Sequence, residues 1–413
     1  MIKLLIGYGG IEGVAKALNI MLSLTLATVL SVSDYGVVAT LIAIELVITE
    51  IILLGQNSFV LRFFKSSELI KFEKNYIASG CIILLVTAAL LFITSLIPVQ
   101  YFVLEGKINI KNSLLALIIG IYLQANVTLY LMYLRSVEKI KYYGALRVSG
   151  QAIKFLITIV FIYYFNDPLL YPTGVLISGA VVFFVILYLR TEYWKPSKFI
   201  KIKIQWCTFA ENLKFGFPIA IHSLAGVSYS IVDRLFLAQL ADIDTVAVYN
   251  FALIQGTGVF FFVNILALAL IPKFYETDSF EENSRKYLNI FLFYSVLGII
   301  LLSTLVYYVI YPISLNFVPD IYRNGQDILP IIALVMMVNC ASNYAVYKIT
   351  VLKKVKILPV ITLVSLGVNA VLNYILIPQF GIIGAAYALL LSETAYAFAL
   401  NAYASFLILT TRE

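Results

Sequence analysis

The chain has 413 residues, 62% of them hydrophobic and only 12% charged, where a soluble domain carries about 25% charged residues. So few charges cannot cover a water-facing surface, and the composition excludes every class but an integral membrane protein. The net charge of +7 invites a nucleic-acid reading, which the placement of the lysines and arginines removes. The first apolar run continues past Glu12 and Lys16 without a convincing cleavage site, so it reads as a span and not a secretory signal.

A spanning helix needs about 20 mostly apolar residues. On that rule twelve spans are predicted, near 10–31, 37–57, 76–97, 112–134, 147–165, 170–190, 215–238, 245–271, 287–312, 327–349, 356–377 and 383–408. Short turns join many of them: Ser33-Asp34-Tyr35-Gly36, Asn166-Asp167-Pro168 and Pro378-Gln379-Phe380-Gly381. Barrel strands alternate apolar and polar residues over about 10 positions, and these runs are longer and solidly apolar. The expected fold is therefore an all-α polytopic membrane protein.

An even number of spans puts both termini on one side. Twenty-three lysines and arginines fall on that side and three (Lys107, Lys111, Arg323) on the other, with Lys16, Lys154 and Arg234 inside spans. The positive-inside rule then places the termini and the basic connections in the cytoplasm, and the basic excess is topology, helped by anionic lipid. The longest polar connection, 191–214, is basic and mildly amphipathic and suits a linker on the membrane surface. It divides the chain into two six-helix bundles, 1–190 and 215–413, an arrangement in which transporters build a central cavity.

Polar stripes at helical spacing mark the faces that avoid lipid. Span one carries Glu12, Lys16, Asn19 and Ser23; span five Arg147, Gln151, Lys154 and Thr158; span seven Ser223, Gly226, Ser230 and Asp233; span eleven Thr362, Ser365, Asn369 and Asn373. Span two adds Glu45, Thr49 and Gln56, with Glu50 off that line. Such stripes either line a polar cavity or hydrogen-bond neighbouring helices; for span eleven the second reading is favoured. Lys154 has no acid within a helical turn, so it needs a partner from elsewhere, water or an anion. Glu12 can pair with Lys16 on one helix surface. Glu45, Glu50 and Glu393 are proton or cation sites, or partners for these lysines. His222, the only histidine, reads as packed core. Cys81, Cys207 and Cys340 have no metal-ligand or disulfide spacing, and no cofactor is implied.

Several segments resemble a known family. "NAVLNYILIPQFGIIGAAYALLLSE" (369–393), "LKFGFPIAIHSL" (213–224), "VDRLFLAQLADIDTVAVYNFA" (232–252) and "SDYG" (33–36) are similar, in order and spacing, to bacterial polysaccharide flippases. These export O-antigen and other lipid-linked oligosaccharides and belong to the multidrug/oligosaccharidyl-lipid/polysaccharide exporter superfamily. The resemblance implies the multidrug and toxin extruder fold and transport of an undecaprenyl-diphosphate-linked oligosaccharide across the inner membrane. It implies as partners the lipid-linked cargo, membrane lipids, a polysaccharide polymerase and a chain-length regulator. A cavity carrying Lys16, Lys154, Arg147 and Arg62 suits an anionic diphosphate, and Asn19, Gln151 and Gln124 suit sugar hydroxyls.

Two other readings compete. A cation-coupled multidrug exporter of the same superfamily needs a coupling acid, for which Glu12, Glu45 and Glu393 stand ready. A membrane glycosyltransferase or polymerase needs outer loops rich in carboxylates or arginines, and the larger outer connections hold only Glu105, Lys107, Lys111, Asp320 and Arg323. Asp233 lies about 27 Å along span seven from Phe215 at 1.5 Å per residue, near the outer interface. There Arg234 is expected to snorkel to the headgroups, and Asp233 to act as a gate or interhelical anchor.

Overall fold

The structure, a computed structural model, describes residues 2–63, 69–98, 103–104, 108–137, 139–193, 206–275, 282–351 and 357–410. Its helices are α1 (Ile2–Val29), α2 (Val32–Leu53), α3 (Gln56–Phe63), α4 (Leu69–Leu96), α5 (Lys111–Ser136), α6 (Ile140–Phe165), α7 (Tyr171–Tyr193), α8 (Trp206–Leu240), α9 (Ile243–Gly258), α10 (Phe260–Tyr275), α11 (Glu282–Leu305), α12 (Tyr311–Leu315), α13 (Leu329–Val351) and α14 (Leu358–Thr410). Among the described residues the only extended structure is a two-residue antiparallel ladder, Val103–Leu104 with Ile108–Asn109. Among the described residues, eleven stretches are long and apolar enough to cross a membrane. The last, Leu358–Leu407, is broken at Gly381 (φ 55°, ψ −129°), so it contributes two crossings and the expected twelve are present.

Local chemistry sets the breaks. Ser31 precedes α2; its hydroxyl accepts from the Asp34 amide at 3.1 Å and donates to the Asp34 carboxylate at 2.6 Å, which satisfies a backbone donor at the helix start. The expected turn at 33–36 is thus the first turn of α2, and the chain reverses at Leu30-Ser31 instead. After α6, Asn166 takes the left-handed conformation (φ 49°) and Asp167 accepts from the Leu169 amide at 2.9 Å, as the Asn-Asp-Pro sequence predicts. Lys111 donates to the carbonyls of Ser95 and Ile97 at 3.0 and 2.8 Å, closing the end of α4. Gly381 occupies a backbone region that side chains disfavour, and the bare Gly384 lies against the Leu376 carbonyl.

The chain divides into two compact units, Leu41–Leu224 and a second formed by Met1–Thr40 with Ala225–Glu413. These differ from the division expected at 191–214. The boundaries fall within α2 and within α8. Of the expected surface linker, 194–205 lies outside the described residues, and Trp206–Lys214 forms the first turns of α8.

In the unit 41–224, α7 packs against both α5 and α6. Small residues make this possible: a side chain at Gly120 would run into Leu176, and one at Gly174 into Thr158. Between helices in lipid, close packing replaces exclusion of water as the main attraction. Elsewhere in this unit Gly55 (φ 71°) lies against the backbone of Gly216. Beside it the fully buried Asn212 donates to the Asn75 carbonyl at 3.0 Å and to the Ser79 hydroxyl at 3.1 Å, and Ser79 donates to Gln56 at 2.9 Å.

The other unit packs α1 against α9 and α10, and α13 against α11 and α14. Its apolar cluster joins Ala345 and Ile349 of α13 to Leu358, Tyr396, Leu400, Ala404 and Leu407 of α14. Across the chain, large side chains such as Leu85, Phe92, Tyr164, Phe184, Tyr188 and Phe398 are more than half exposed. That is the surface of a multi-pass membrane protein whose solvent is lipid.

Gly55→Ala is expected to lower the thermal midpoint of the detergent-solubilised protein by several degrees, because a left-handed L-residue costs about 1–2 kcal/mol and the added carbon meets Gly216. Gly226→Ala, in open space on α8, should leave the midpoint unchanged or raise it. Equal midpoints for the two variants would contradict the close approach at Gly55.

Candidate functional site

On α6, Arg147, Gln151 and Lys154 stand at spacings of four and three, so their side chains share one face. That face lines a cavity of about 80 Å³ closed by Gln124 and Thr128 of α5 and by Ser178 and Gly179 of α7. The volume admits several water molecules or a group the size of a phosphate. Gln124 donates to the Val175 carbonyl at 3.3 Å and to Ser178 at 3.4 Å, which holds its amide at the cavity wall. Two cations, two amides and two hydroxyls thus converge on one space inside a single unit.

Lys154 takes its partner from among the acids that the sequence offered. Its ammonium donates to both oxygens of Glu45 on α2, at 2.7 and 3.0 Å, and the Tyr171 hydroxyl donates to Glu45 Oε2 at 2.5 Å. The Lys154 and Glu45 side chains are only 10% and 12% exposed. An unpaired ammonium so deep in an apolar chain would be costly, and breaking such a pair by deleting one partner costs more than the pair contributes. The Lys154 ammonium also lies 5.2 Å from the centre of the Tyr171 ring.

A second polar system belongs to the other unit and is organised by Asp233-Arg234 on α8. Asp233 accepts from the Tyr249 hydroxyl at 2.9 Å and from the Asn373 amide at 2.8 Å. Asn373 also donates to Asn369 at 3.1 Å, and Asn369 donates to the Ser392 hydroxyl at 3.3 Å. Arg234 donates to Asn250 Oδ1 through Nε at 3.2 Å and Nη2 at 2.5 Å. Asn250 in turn donates to the Tyr35 hydroxyl at 3.0 Å, and Tyr35 is hydrogen-bonded to Ser23. Asp233 and Arg234 are 1% and 3% exposed. Arg234 therefore does not snorkel to the headgroups: Asn250 meets it inside the bundle, and the two bonds hold the guanidinium there. Asp233 is an interhelical anchor between α8, α9 and α14.

The remaining expected site residues are distributed as follows. Lys16 and Glu12 are half-buried and Asn19 exposed on α1, in the unit that does not contain Lys154. Glu50 is half-buried on α2. Glu393 on α14 is buried, and its Oε2 has no hydrogen-bond partner among the described residues. Arg62 is in α3, with its side chain outside the described part of the structure, as are the side chains of His222, Ser230 and Cys207. Thr362, Ser365, Asn369 and Asn373 are all buried, and Ser365 donates to the Ser392 carbonyl at 2.8 Å. Span eleven thus has the interhelical bonding favoured for it. Among the described residues no cluster of histidine, cysteine and acidic side chains could hold a metal ion.

Sequence reasoning missed Tyr171, Thr128, Ser178 and Asn212 as polar partners. Tyr249-Asn250 carried a signal, since it stands after span seven as Tyr35-Gly36 stands after span one: Tyr249 bonds to Asp233, and Asn250 joins Arg234 to Tyr35.

This architecture is that of the multidrug and toxin extruder transporters. A multidrug-resistance transporter of that family in its inward-facing conformation superposes with a TM-score of 0.73 over 96% of each chain at 12% identity. A point mutant of the Vibrio cholerae transporter VcmN gives 0.65 at 13% identity over 99% of this chain and 97% of its own. A superfamily transporter from Pyrococcus furiosus, described as having a binding pocket of reverse polarity, gives 0.65 at 10% identity over 100% and 96%. At such identities the likeness establishes the fold. No curated protein matches the chain in sequence. The family model for polysaccharide biosynthesis proteins matches residues 8–278, more than half of the chain, and the protein belongs to that family. Its fold is that of multi-pass membrane transporters of the multidrug and toxin extruder kind.

Asp233→Ala is expected to destabilise the folded protein by roughly 2 kcal/mol, since neutral interhelical bonds in membranes contribute about 0.6 kcal/mol each and charge-assisted ones about twice that. Combined with Asn373→Ala the loss should fall short of the sum, with an interaction of about 1 kcal/mol. Strictly additive losses in detergent unfolding would show that the two side chains act independently.

Proposed function

We propose that the protein is a flippase that carries an undecaprenyl-diphosphate-linked oligosaccharide, an O-antigen or capsule repeat unit, from the cytoplasmic to the periplasmic leaflet of the bacterial inner membrane. The observation that carries this reading is the polar cavity lined by Arg147 and Lys154 in a member of the polysaccharide biosynthesis family. A diphosphate is anionic; arginine meets it as a planar fork and lysine as a mobile point charge. Gln124, Gln151, Thr128 and Ser178 supply donors and acceptors for sugar hydroxyls. Lys16 and Asn19 on α1 are further candidate contacts, with the lipid tail left in the bilayer. Alternating access moves the headgroup, both termini lie in the cytoplasm, and a polymerase with its chain-length regulator consumes the exported unit.

A cation-coupled multidrug exporter is the second reading. Its supporting observation is Glu393, a buried carboxyl with one oxygen lacking a partner among the described residues, which suits a proton or monovalent cation. In a strain lacking its own flippase, the wild-type chain is expected to restore surface polysaccharide. Arg147→Ala with Lys154→Ala, and separately Lys16→Ala, should abolish it at normal protein level. Restoration by the Arg147/Lys154 double variant would sink the diphosphate assignment. Failure of the wild type on every defined oligosaccharide, with resistance to cationic drugs gained instead, would move the protein to the exporter branch.

A further inference from the structure

Lys154 lines the cavity, and Glu45 does not. The carboxylate is bonded to the lysine through both oxygens and held by the Tyr171 hydroxyl. The lysine that lines the cavity is therefore already neutralised by a carboxylate outside the lining. We propose that Glu45 is a resident surrogate for the phosphate of the cargo: it occupies Lys154 in the empty transporter, and a diphosphate captures Lys154 only by drawing it away from Glu45. This rests on the diphosphate reading above and adds the internal competitor to it.

Three features support the exchange. The pair is nearly dry, so each charge needs a partner at every stage, and a bare lysine awaiting cargo would destabilise the empty state. Lysine is a compact charge on a flexible four-carbon stem, able to turn from one anion to another without moving its helix. Glu45 is braced by Tyr171, so the carboxylate stays in place as the lysine leaves and draws it back afterwards. Competition of this kind weakens cargo binding, and a transporter that must let go of a multiply charged headgroup needs such weakening. Tyr171 also fixes what the competitor can reach, because its bond to Oε2 turns the carboxylate toward α6 and α7.

The test is the affinity of the full-length protein for diphosphate. Inorganic pyrophosphate in solution and a polyprenyl diphosphate in nanodisc lipid are two sources of the same group, and each is titrated separately. Glu45→Gln keeps the shape of the side chain and one acceptor oxygen but removes the competing charge. It is expected to tighten binding about tenfold, the scale of one charge-assisted bond, and to slow release. Glu45→Asp, which withdraws the carboxylate by one methylene, should change affinity in the same direction and serves if the glutamine variant does not fold. Tightening for the lipid-borne group alone supports the proposal and identifies the lipid as the source. Unchanged or weaker binding in both variants, with binding still lost in Arg147→Ala, overturns the competition and leaves the diphosphate reading standing. Absence of binding to wild type and to both Glu45 variants overturns the two together.

Discussion

A charge inside an apolar bundle has to be met by another polar group, because neither lipid nor packed helices can solvate it. The best-defined parts of this structure answer that constraint. Within the unit 41–224, Glu45 and Lys154 neutralise each other with a tyrosine on the carboxylate. Within the other unit, Asp233 is held by a hydroxyl and an amide from two other helices, and Arg234 by the Asn250 amide. The two solutions differ in kind. An ion pair can be traded for another ion pair, which suits a binding site. A charge held by amides and hydroxyls from neighbouring helices ties those helices together, which suits an anchor.

The spans were legible because about 20 apolar residues in a row have few structural interpretations. The stripe on α6 was legible because spacing alone puts Arg147, Gln151 and Lys154 on one face. Periodicity names the face of a helix and not the helix it meets, so Glu45, 109 residues from Lys154, could only be offered as one of several partners. Arg234 was misjudged for the same reason: its depth along the helix pointed to the headgroups, and only the fold brings Asn250 to it. Asn212 sits at the end of a basic, polar stretch and looked solvated, yet it is fully buried against Gln56, Asn75 and Ser79. The start of α2 was read late because its first turn holds Ser33 and Asp34, polar residues that a search for apolar runs assigns to a loop.

The family is that of polysaccharide biosynthesis proteins and the fold that of transporters, and the proposed cargo rests on the cavity beside α6. That cavity is basic where the cations are counted singly and less so where Glu45 is counted with Lys154. Charge tallies along a helix therefore overstate the pull on an anion. The same correction applies to any superfamily member whose cavity lysine is backed by an acid from a neighbouring helix.

The polar face of span eleven has one more consequence, which concerns the order of assembly. Ser365 and Asn369 on one arm of α14 bond to Ser392 on the other, with Gly381 turning the chain between them. These two crossings can thus enter the bilayer as a hairpin that already covers much of its own polarity. Asp233 is made 140 residues before the Asn373 that completes its shell. Until that hairpin arrives, the carboxylate sits in a half-built bundle with Tyr249 as its nearer companion. Arrival of that hairpin is then the step that completes the shell of Asp233, and a ribosome stalled before Asn373 would leave an unfinished chain with an exposed intramembrane acid.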